Sequence, residues 1–200
     1  MSIATRLEVV RRQLGEACAA AGREPGEVRL VAVSKRHGTD RIREAYAAGQ
    51  RDFGENYAQE LRDKAAELAD LPDIRWHYVG RIQTNKAKYI APVCTRAHAI
   101  DAPRQAAALA RRATGPRGVL VAVNAAGEQT KGGVEPATAL ELCAEIHALG
   151  GVELTGLMTM PPWVDDPEQA SPWFARLAEL AAEGRARGLP LTELSMGMSH

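Results

Sequence analysis

Apolar residues follow one another along this chain in two alternating patterns, one with helical spacing and the other in short continuous runs. Residues 2–21 show the first pattern and predict a helix with Ser2 as its N-cap and Gly22 at its end. Residues 28–34, VRLVAVS, show the second pattern and predict a buried strand, because the run is short and rich in β-branched side chains. The apolar positions of the helix are Ile3, Leu7, Val10, Leu14 and Cys18.

The two patterns alternate as far as the C-terminus and predict seven strands, each preceded or followed by a helix. The predicted strands are 28–34, 51–56, 74–80, 97–101, 118–124, 152–160 and 191–197, and the helices between them are 39–49, 57–71, 84–91, 103–113, 136–149 and 167–187. Such alternation predicts parallel strands, in a (β/α) barrel or in a doubly wound open sheet. A GxGxxG motif after the first strand and a P-loop are both absent from the sequence, which favours the barrel.

The composition narrows the class of protein. Hydrophobic residues make up 46% of the 200 positions, enough for one substantial core. The formal net charge is zero, so no overall field attracts nucleic acid or an anionic membrane. The cysteines, Cys18, Cys94 and Cys143, are widely spaced and predict structural thiols in a reducing compartment. Charges interrupt the N-terminal apolar runs, and no run approaches the roughly 20 residues of a membrane span, so we expect a soluble cytoplasmic protein.

A lysine stands where the first predicted strand ends, in a chain whose usual cation is arginine. In a parallel barrel the functional site lies at the carboxyl ends of the strands, which is where Lys35 falls. An amine beside apolar walls is a nucleophile for carbonyl groups, so Lys35 is a candidate for Schiff-base chemistry. An ion-pairing lysine at a strand end is the alternative, and position alone leaves both open. The other lysines are Lys64 in a charged helix, Lys86 and Lys88 near a helix start, and Lys131 in a Gly-rich loop.

The last predicted strand ends in SMGMS, residues 195–199, which offers small residues, backbone amides and two hydroxyl groups. Such a segment before a helix suits a phosphate group, and barrels commonly bind phosphate after the seventh and eighth strands. Ordinary turns have the same composition, so the motif alone is weak. Together with Lys35 it indicates an aldehyde that carries a phosphate, and pyridoxal 5′-phosphate (PLP) meets both demands.

Six segments of the sequence resemble the pyridoxal phosphate homeostasis protein family, the single-domain relatives of the barrel in bacterial alanine racemase. These segments are LVAVSK (30–35), AGQRDFGENYAQE (48–60), WHYVGRIQTNK (76–86), GEQTKGGV (127–134), GLMTMP (156–161) and LSMGMS (194–199). They follow the family's order and spacing over nearly the whole chain. The resemblance implies an α/β fold, a TIM-type (β/α)8 barrel of the alanine racemase N-terminal domain kind. It also implies a protein that buffers or delivers PLP without a committed catalytic activity.

The resemblance also assigns cofactor-binding residues, while it implies no catalytic residue and no metal ligand. Lys35 matches the lysine that holds PLP as an aldimine, and Asn56 matches a residue beside the cofactor. Asn56 can also be read as a helix N-cap, and His77 as a core histidine satisfied by the backbone. The full set carried over is Lys35, Asn56, His77, Met158, Ser195, Gly197, Met198 and Ser199. The loop 81–86 and Lys131 have two interpretations, a contact to a partner or second ligand and a solvated loop.

The sequence departs from the family beside Lys35 and at the C-terminus. Family members often have a second lysine two residues after the first, where this chain has His37. The family continues past the SMGMS segment with a helix and an eighth strand. We therefore expect residues 1–200 to form a single PLP-binding barrel domain that has seven of eight strands and lacks the last helix and strand. We expect this open barrel to bind PLP weakly or not at all.

Two classes of function remain, a PLP carrier and a PLP-dependent amino-acid racemase. Racemisation on this fold needs a second base, which alanine racemase takes from a tyrosine of an additional domain. The tyrosines here lie in helices or in a strand away from its carboxyl end, which favours the carrier; they are Tyr46, Tyr57, Tyr78 and Tyr89. A Schiff-base aldolase gives no reason for SMGMS. We expect a monomer whose partners are PLP and the apo forms of PLP-dependent enzymes, and neither nucleic acid nor membrane.

Overall fold

A single sheet of seven parallel strands organises the protein, for which we use a computed structural model that describes residues 1–128 and 132–197. The strands lie in chain order from β1 to β7, each hydrogen-bonded to the next. Their bounds are β1 Ala32–Val33, β2 Asp52–Glu55, β3 Arg75–Tyr78, β4 Arg96–Ile100, β5 Gly118–Ala122, β6 Glu153–Met158 and β7 Glu193–Ser195. The prediction of parallel strands that alternate with helices is confirmed.

Helices connect the strands and cover the outer face of the sheet. They are α1 Ile3–Ala20, α2 Thr39–Ala47, α3 Ala58–Glu67, α4 Ala87–Ile90, α5 Pro103–Ala110, α6 Pro136–Ala148 and α7 Ser171–Ala186. Short 3-10 helices lie at Pro25–Glu27, Thr84–Lys86 and Pro167–Ala170. The predicted N-cap of α1 is confirmed, because the Ser2 hydroxyl oxygen accepts a hydrogen bond from the amide of Thr5. None of the described helices is both long and apolar enough to cross a bilayer.

The sheet is strongly curled, so that it forms most of a barrel wall. Side chains of β4 and β7 meet directly, through hydrogen bonds from Arg96 to Glu193 and between His98 and Ser195. Strands three places apart in a flat sheet would lie about 14 Å from each other, beyond the reach of such bonds. Within the described residues, β1 pairs only with β2 and β7 only with β6, so the barrel is partial. The fold predicted from the sequence, a seven-stranded part of an eight-stranded barrel, is confirmed.

The hydrophobic core lies between the outer face of the sheet and the helices. Phe53 of β2 and Trp76 of β3 are buried there with ring centroids 6.1 Å apart. Helices contribute large side chains that are fully buried, among them Leu61, Ile90, Leu109, Ile146 and Leu177. The cysteines are buried and unpaired, as structural thiols are expected to be. Burial raises the pKa of Cys94 and that of Cys143 to about 12, which keeps both thiols protonated.

The first strand is much shorter than its sequence predicts. The pattern predicted a buried strand over residues 28–34, whereas β1 contains only Ala32 and Val33, and Val33 is 46% exposed. The cause is the position of β1 at an edge of the sheet, where only β2 offers hydrogen bonds. The apolar run alone could not show this, because a strand at an edge and a strand in the centre of a sheet can have the same sequence. The third helix also ends early, at Glu67 instead of Leu71.

Gly156 is predicted to be essential for the pairing of β6 with β7. It lies opposite Glu193, and a Cβ added there would be 1.8 Å from the Glu193 carbonyl oxygen. We expect Gly156→Ala to push the two backbones apart and to lower the free energy of unfolding by about 1–3 kcal/mol. Urea denaturation measures this change. Gly115→Ala is the control, since its added methyl meets nothing within 4 Å, and should change stability by less than about 1 kcal/mol. Equal losses in both variants would contradict the steric argument.

Candidate ligand site at the carboxyl ends of the strands

Lys35 lies in the turn that follows β1, at the carboxyl end of the strand. Its side chain is exposed, and no hydrogen bond or ion pair joins its ammonium group to any described residue. The backbone before it is fixed, because the Ser34 amide donates to the Gly54 carbonyl over 2.9 Å. The Lys35 side chain therefore has no polar partner among the described residues and stands on a held backbone, at the end of the sheet where parallel barrels place their sites.

The backbone on both sides of Lys35 is held by a buried ion cluster. Lys64 of α3 donates from Nζ to the Ser34 carbonyl, to Glu55 Oε1 and to Glu60 Oε1, each over 2.7 Å. The Ser34 hydroxyl donates to the same Glu55 oxygen over 2.6 Å. The sequence placed Lys64 in a charged helix, but its side chain is only 8% exposed. Its spacing of four residues from Glu60 was the available signal, and the contact with Glu55 needed the fold.

The residue after Lys35 takes an uncommon backbone conformation. Arg36 has φ 64°, the left-handed region that few residues other than glycine adopt. Its amide donates to Glu60 Oε1 over 2.7 Å, so the same carboxylate that binds Lys64 also holds this turn. Conformations of this kind cost about 1–3 kcal/mol and persist where the surroundings fix them. The backbone conformation of this turn is therefore fixed, and with it the direction in which the Lys35 side chain leaves the backbone.

The carboxylates of this cluster have shifted pKa values. Burial raises the pKa of Glu55 above its ordinary value, and hydrogen bonds from Lys64 and Ser34 only partly oppose this. Burial also acts to raise the pKa of Glu60, but hydrogen bonds from Lys64 and the Arg36 amide outweigh it and the pKa falls. Glu55 is fully buried, and its Oε2 atom has no hydrogen-bond partner among the described residues. The ion pair with Lys64 is therefore what makes this buried charge tolerable.

Asn56 follows β2 and lies close to the end of β3. The Tyr78 hydroxyl donates to its carbonyl over 3.2 Å, and a Cβ on Gly80 would come within 2.2 Å of that carbonyl oxygen. The interpretation of Asn56 as an N-cap is wrong, because Tyr57 occupies the N-cap position of α3 and no side chain caps the helix. The Asn56 amide group makes no hydrogen bond to the described residues. The Asn56 side chain can therefore donate and accept hydrogen bonds to a ligand at this site.

The strands β6 and β7 bring Met158, Ser195 and Gly197 together at the same end of the sheet. Met158 and Ser195 are direct partners in the ladder, and the Thr159 amide donates to the Ser195 carbonyl over 3.0 Å. Gly197 has φ 96° and open space where a Cβ would stand, so it turns the chain in a way that favours glycine. Met198, Ser199 and Lys131, the other residues named from the sequence, lie outside the described residues.

His77 points into the barrel and is a core residue. It is 2% exposed, and its two ring nitrogens contact Asp52 and His98 over 2.9 and 2.8 Å. Its partners are side chains instead of the backbone groups expected for a core histidine. His98 was missed by the sequence reading, because a histidine in the strand AHAID carries no local signal of its partner. The contact becomes visible only when β3 and β4 are paired in register.

The polar loop 81–86 lies beside the N-terminus of α5. Ile82 is buried, and its carbonyl accepts a hydrogen bond from Gln105 over 2.9 Å. Arg81, Gln83, Thr84 and Asn85 line an open groove with Arg104. The structure thus anchors the loop through Ile82 and leaves its polar side chains at the surface.

Comparison with known proteins adds sequence relatives to this geometry. The family model described as alanine racemase, N-terminal domain, matches residues 7–200. A pyridoxal phosphate homeostasis protein from Aquifex aeolicus is 40% identical over 204 residues, which cover 100% of this chain and 89% of the relative.

Solved structures show the same fold. PipY of Synechococcus elongatus, solved without PLP, is 39% identical and gives a TM-score of 0.87 over 99% of this chain and 90% of its own. The PipY structure with PLP bound gives a TM-score of 0.78 at 36% identity, over 93% of this chain and 89% of its own. Alanine racemase from Streptomyces coelicolor gives a TM-score of 0.71 at 20% identity, over 94% of this chain and 50% of its own, and shows likeness of fold alone.

Replacing Lys64 should destabilise the protein in a way that depends on pH. In Lys64→Met the buried Glu55 carboxylate loses its cation, which we expect to cost about 3–5 kcal/mol near neutral pH. The loss should shrink as the pH falls, because Glu55 already has a raised pKa in the folded state and its protonated form needs no cation. Urea denaturation at a series of pH values measures the effect.

Lys88→Met is the matched control for this prediction. Lys88 is exposed on α4, so its replacement should change stability by no more than about 0.5 kcal/mol at any pH. A loss in Lys64→Met that stays constant down to acid pH would show that the charge of Glu55 is not what Lys64 compensates.

Proposed function

The chain belongs to the pyridoxal phosphate homeostasis protein family. We propose that, in contrast to the weak or absent binding expected from the sequence, it binds PLP through Lys35 and serves in the homeostasis and delivery of that cofactor. The observation that carries the proposal is the exposed Lys35 side chain, without a polar partner among the described residues, on its held turn at the same end of the sheet as Ser195 and Gly197. The PLP-bound structure of PipY, a relative of 36% identity, supports it.

The described residues fit the chemical groups of PLP. The aldehyde of PLP reacts reversibly with a primary amine, releasing water and forming a carbon–nitrogen double bond. Lys35 supplies an amino group that forms no hydrogen bond or ion pair with the described residues. The phosphate requires hydrogen-bond donors, which Ser195 and the backbone amides around Gly197 offer, in a turn whose glycine leaves room for close approach. The unpaired amide of Asn56 adds a polar contact at the ends of β2 and β3.

The ion cluster around Lys64 acts by positioning. It touches the Ser34 carbonyl and, through Glu60, the Arg36 amide, which are the backbone groups before and after Lys35. A nucleophile gains from a fixed direction, since a bound aldehyde then meets the amine without a search over backbone conformations. We therefore assign Lys64, Glu55 and Glu60 as positioning residues.

The recipients of PLP, the oligomeric state and the cellular compartment are inferred from the family. Recipients of PLP are apo forms of PLP-dependent enzymes, and the protein acts as a monomer in the cytoplasm. The described residues form one sheet, which supports a single PLP-binding domain over residues 1–200. A net charge of zero supports the expectation that neither nucleic acid nor membrane is a partner.

The tyrosines bear on the racemase alternative. The expectation that all four lie away from the strand ends is wrong for Tyr78, which closes β3 and contacts the Asn56 carbonyl. Tyr78 is nevertheless buried on the helix side of the sheet, and burial raises its pKa, so it remains protonated and unsuited to act as a base. The Tyr57 hydroxyl accepts a hydrogen bond from Arg36 over 3.2 Å, which places it beside the turn that carries Lys35.

Lys35 should be the lysine that reacts with PLP. Borohydride reduction of the protein mixed with PLP, followed by peptide mapping, should find the label on Lys35, because its side chain is exposed and has no polar partner in residues 1–128 and 132–197. Lys35→Ala should lose the label with no more than about 0.5 kcal/mol change in stability, since the side chain is exposed and makes no hydrogen bond or ion pair to the described residues. Lys88→Ala should keep it. A label on Lys64, Lys86, Lys88 or Lys131 with none on Lys35 would overturn the proposal.

Racemase activity should be far below that of a dedicated enzyme. Racemisation removes a proton from one face of the substrate and returns one to the other, which needs two groups in position. With PLP and L-alanine we expect a turnover at least about a thousandfold below the typical enzymatic median of roughly 10 per second. Polarimetry or chiral chromatography measures it, and Tyr57→Phe should leave the residual rate unchanged. A rate near that median, lost in Tyr57→Phe, would favour the racemase.

A further inference from the structure

Four side chains form a continuous hydrogen-bonded chain across the inside of the partial barrel. Asp52 Oδ1 contacts His77 Nε2 over 2.9 Å, and His77 Nδ1 contacts His98 Nε2 over 2.8 Å. His98 Nδ1 then contacts the Ser195 hydroxyl over 2.7 Å. The chain thus begins in β2, passes through β3 and β4, and ends on β7, where the candidate phosphate turn begins. Asp52, His77 and His98 are each at most 5% exposed, so water cannot freely replace these bonds.

The protonation of the first and third members is fixed by their surroundings. Burial acts to raise the pKa of Asp52, but hydrogen bonds from Arg75 and His77 outweigh it and hold the pKa well below its ordinary value. Asp52 is therefore an acceptor only, and His77 Nε2 carries a proton. Burial, together with the neighbouring His77, lowers the pKa of His98 to about 3, so its ring is neutral near pH 7 and has one donor and one acceptor nitrogen.

These constraints leave two arrangements of the hydrogen bonds that join Asp52, His77, His98 and Ser195. When His77 is neutral, its Nδ1 accepts from His98 Nε2–H, and the Ser195 hydroxyl must donate to His98 Nδ1. When His77 is charged, its Nδ1–H donates to His98 Nε2, and His98 Nδ1–H donates to the Ser195 oxygen. The hydroxyl hydrogen of Ser195 is committed in the first arrangement and free in the second. The two arrangements differ by one proton.

We propose that these hydrogen-bonded side chains link anion binding at Ser195 to the uptake of one proton by His77. A phosphate oxygen beside Ser195 needs a donor, so it selects the arrangement in which the hydroxyl hydrogen points away from His98. That selection reverses the hydrogen bonds between His77, His98 and Ser195 and places the proton on His77, beside the Asp52 carboxylate. The identity of the anion as the phosphate of PLP rests on the proposed function, whereas the linkage rests on the four side chains alone.

The charged groups around the two rings occur in neutralised pairs. Asp52 accepts both hydrogen bonds of the Arg75 guanidinium, over 2.9 and 2.6 Å, and Glu193 likewise accepts both from Arg96. Arg29 lies 3.8 Å from Asp52. A proton on His77 therefore adds one positive charge beside Asp52, whose carboxylate Arg75 already pairs, and an anion at the Ser195 end balances that added charge. The charged groups that act on the two rings are Asp52, Arg96 and Glu193, while Arg29 and Arg75 lie against Asp52 and Glu153 acts on Arg96.

The linkage fixes the sign of the pH dependence. Because the anion and the proton bind together, phosphate affinity falls as the pH rises through the range in which His77 loses its proton. The slope above that range approaches a tenfold loss per pH unit, the value for one linked proton. A phosphate monoester remains mainly dianionic above about pH 6, so this loss is separate from the titration of the phosphate itself.

Nitrogen NMR of the 200-residue chain with labelled histidines tests the linkage directly. The nitrogen shifts report which ring atom carries a proton. In the chain without ligand, lowering the pH should move the His98 proton from Nε2 to Nδ1 in the same step in which His77 becomes charged, while His98 stays neutral. Inorganic phosphate should move this step to higher pH. The exposed His147 should give a signal that phosphate does not change.

Two substitutions separate the linkage from a merely structural role. In Ser195→Ala the step should no longer respond to phosphate, and Ser195→Thr, which keeps the hydroxyl, should restore the response. In His98→Gln, whose amide has a fixed donor and acceptor, the titration of His77 should likewise become independent of phosphate. A His98 proton that stays on one nitrogen throughout, or a wild-type step that phosphate leaves unmoved, would overturn the proposal.

Borohydride trapping of PLP on the same samples separates this proposal from the proposed function. Trapping at Lys35 together with a step that phosphate does not move would leave the function standing and remove the linkage. A step that phosphate moves, with no trapping at Lys35, would do the reverse.

Discussion

The polar lining of the curled sheet is the constraint on which the other features depend. Side chains join distant strands across the inside of this curled parallel sheet. Arg96 and Glu193 form a two-bond ion pair between β4 and β7, and His98 reaches Ser195 across the same gap. Closed barrels fill this space with bulky branched apolar residues. In this protein the interior is charged, and its shape depends on electrostatic pairing as well as on apolar packing.

The order of strands and helices could be predicted from the sequence because each element has a local pattern of apolar residues. The short strand segments and the helical periods between them are patterns of neighbouring residues, and the structure confirms the order they predict. The strand β1 was predicted too long because its burial depends on what lies beside it in the sheet, which is information from distant residues. The candidate lysine was found for the same reason as the strands, since Lys35 follows an apolar run directly.

The supporting residues of the site could not be found in this way. Lys64 reads as one charge among many in α3, and only the packing of that helix on β2 shows that it lies against Glu55 and the Ser34 carbonyl. His98 reads as a polar interruption in a short strand, and its partners come from β3 and β7. Both residues act through contacts between different elements of the fold. Their roles follow from register and curl, which single-sequence patterns do not specify.

The energetics of the interior argue that its titratable groups are there for more than stability. Replacing a buried ion pair by well-packed apolar residues is often neutral or stabilising, because removing charges from water costs more than their attraction returns. Asp52, His77 and His98 carry that cost at positions where apolar side chains would fill the barrel. The arrangement gains what apolar residues cannot supply, a path by which a change at Ser195 reaches His77 through hydrogen bonds that can reverse. The two ends of the ligand site are then held differently. Ion pairs fix the Lys35 turn, while Ser195 is the last member of a row of hydrogen-bonded side chains that has two arrangements.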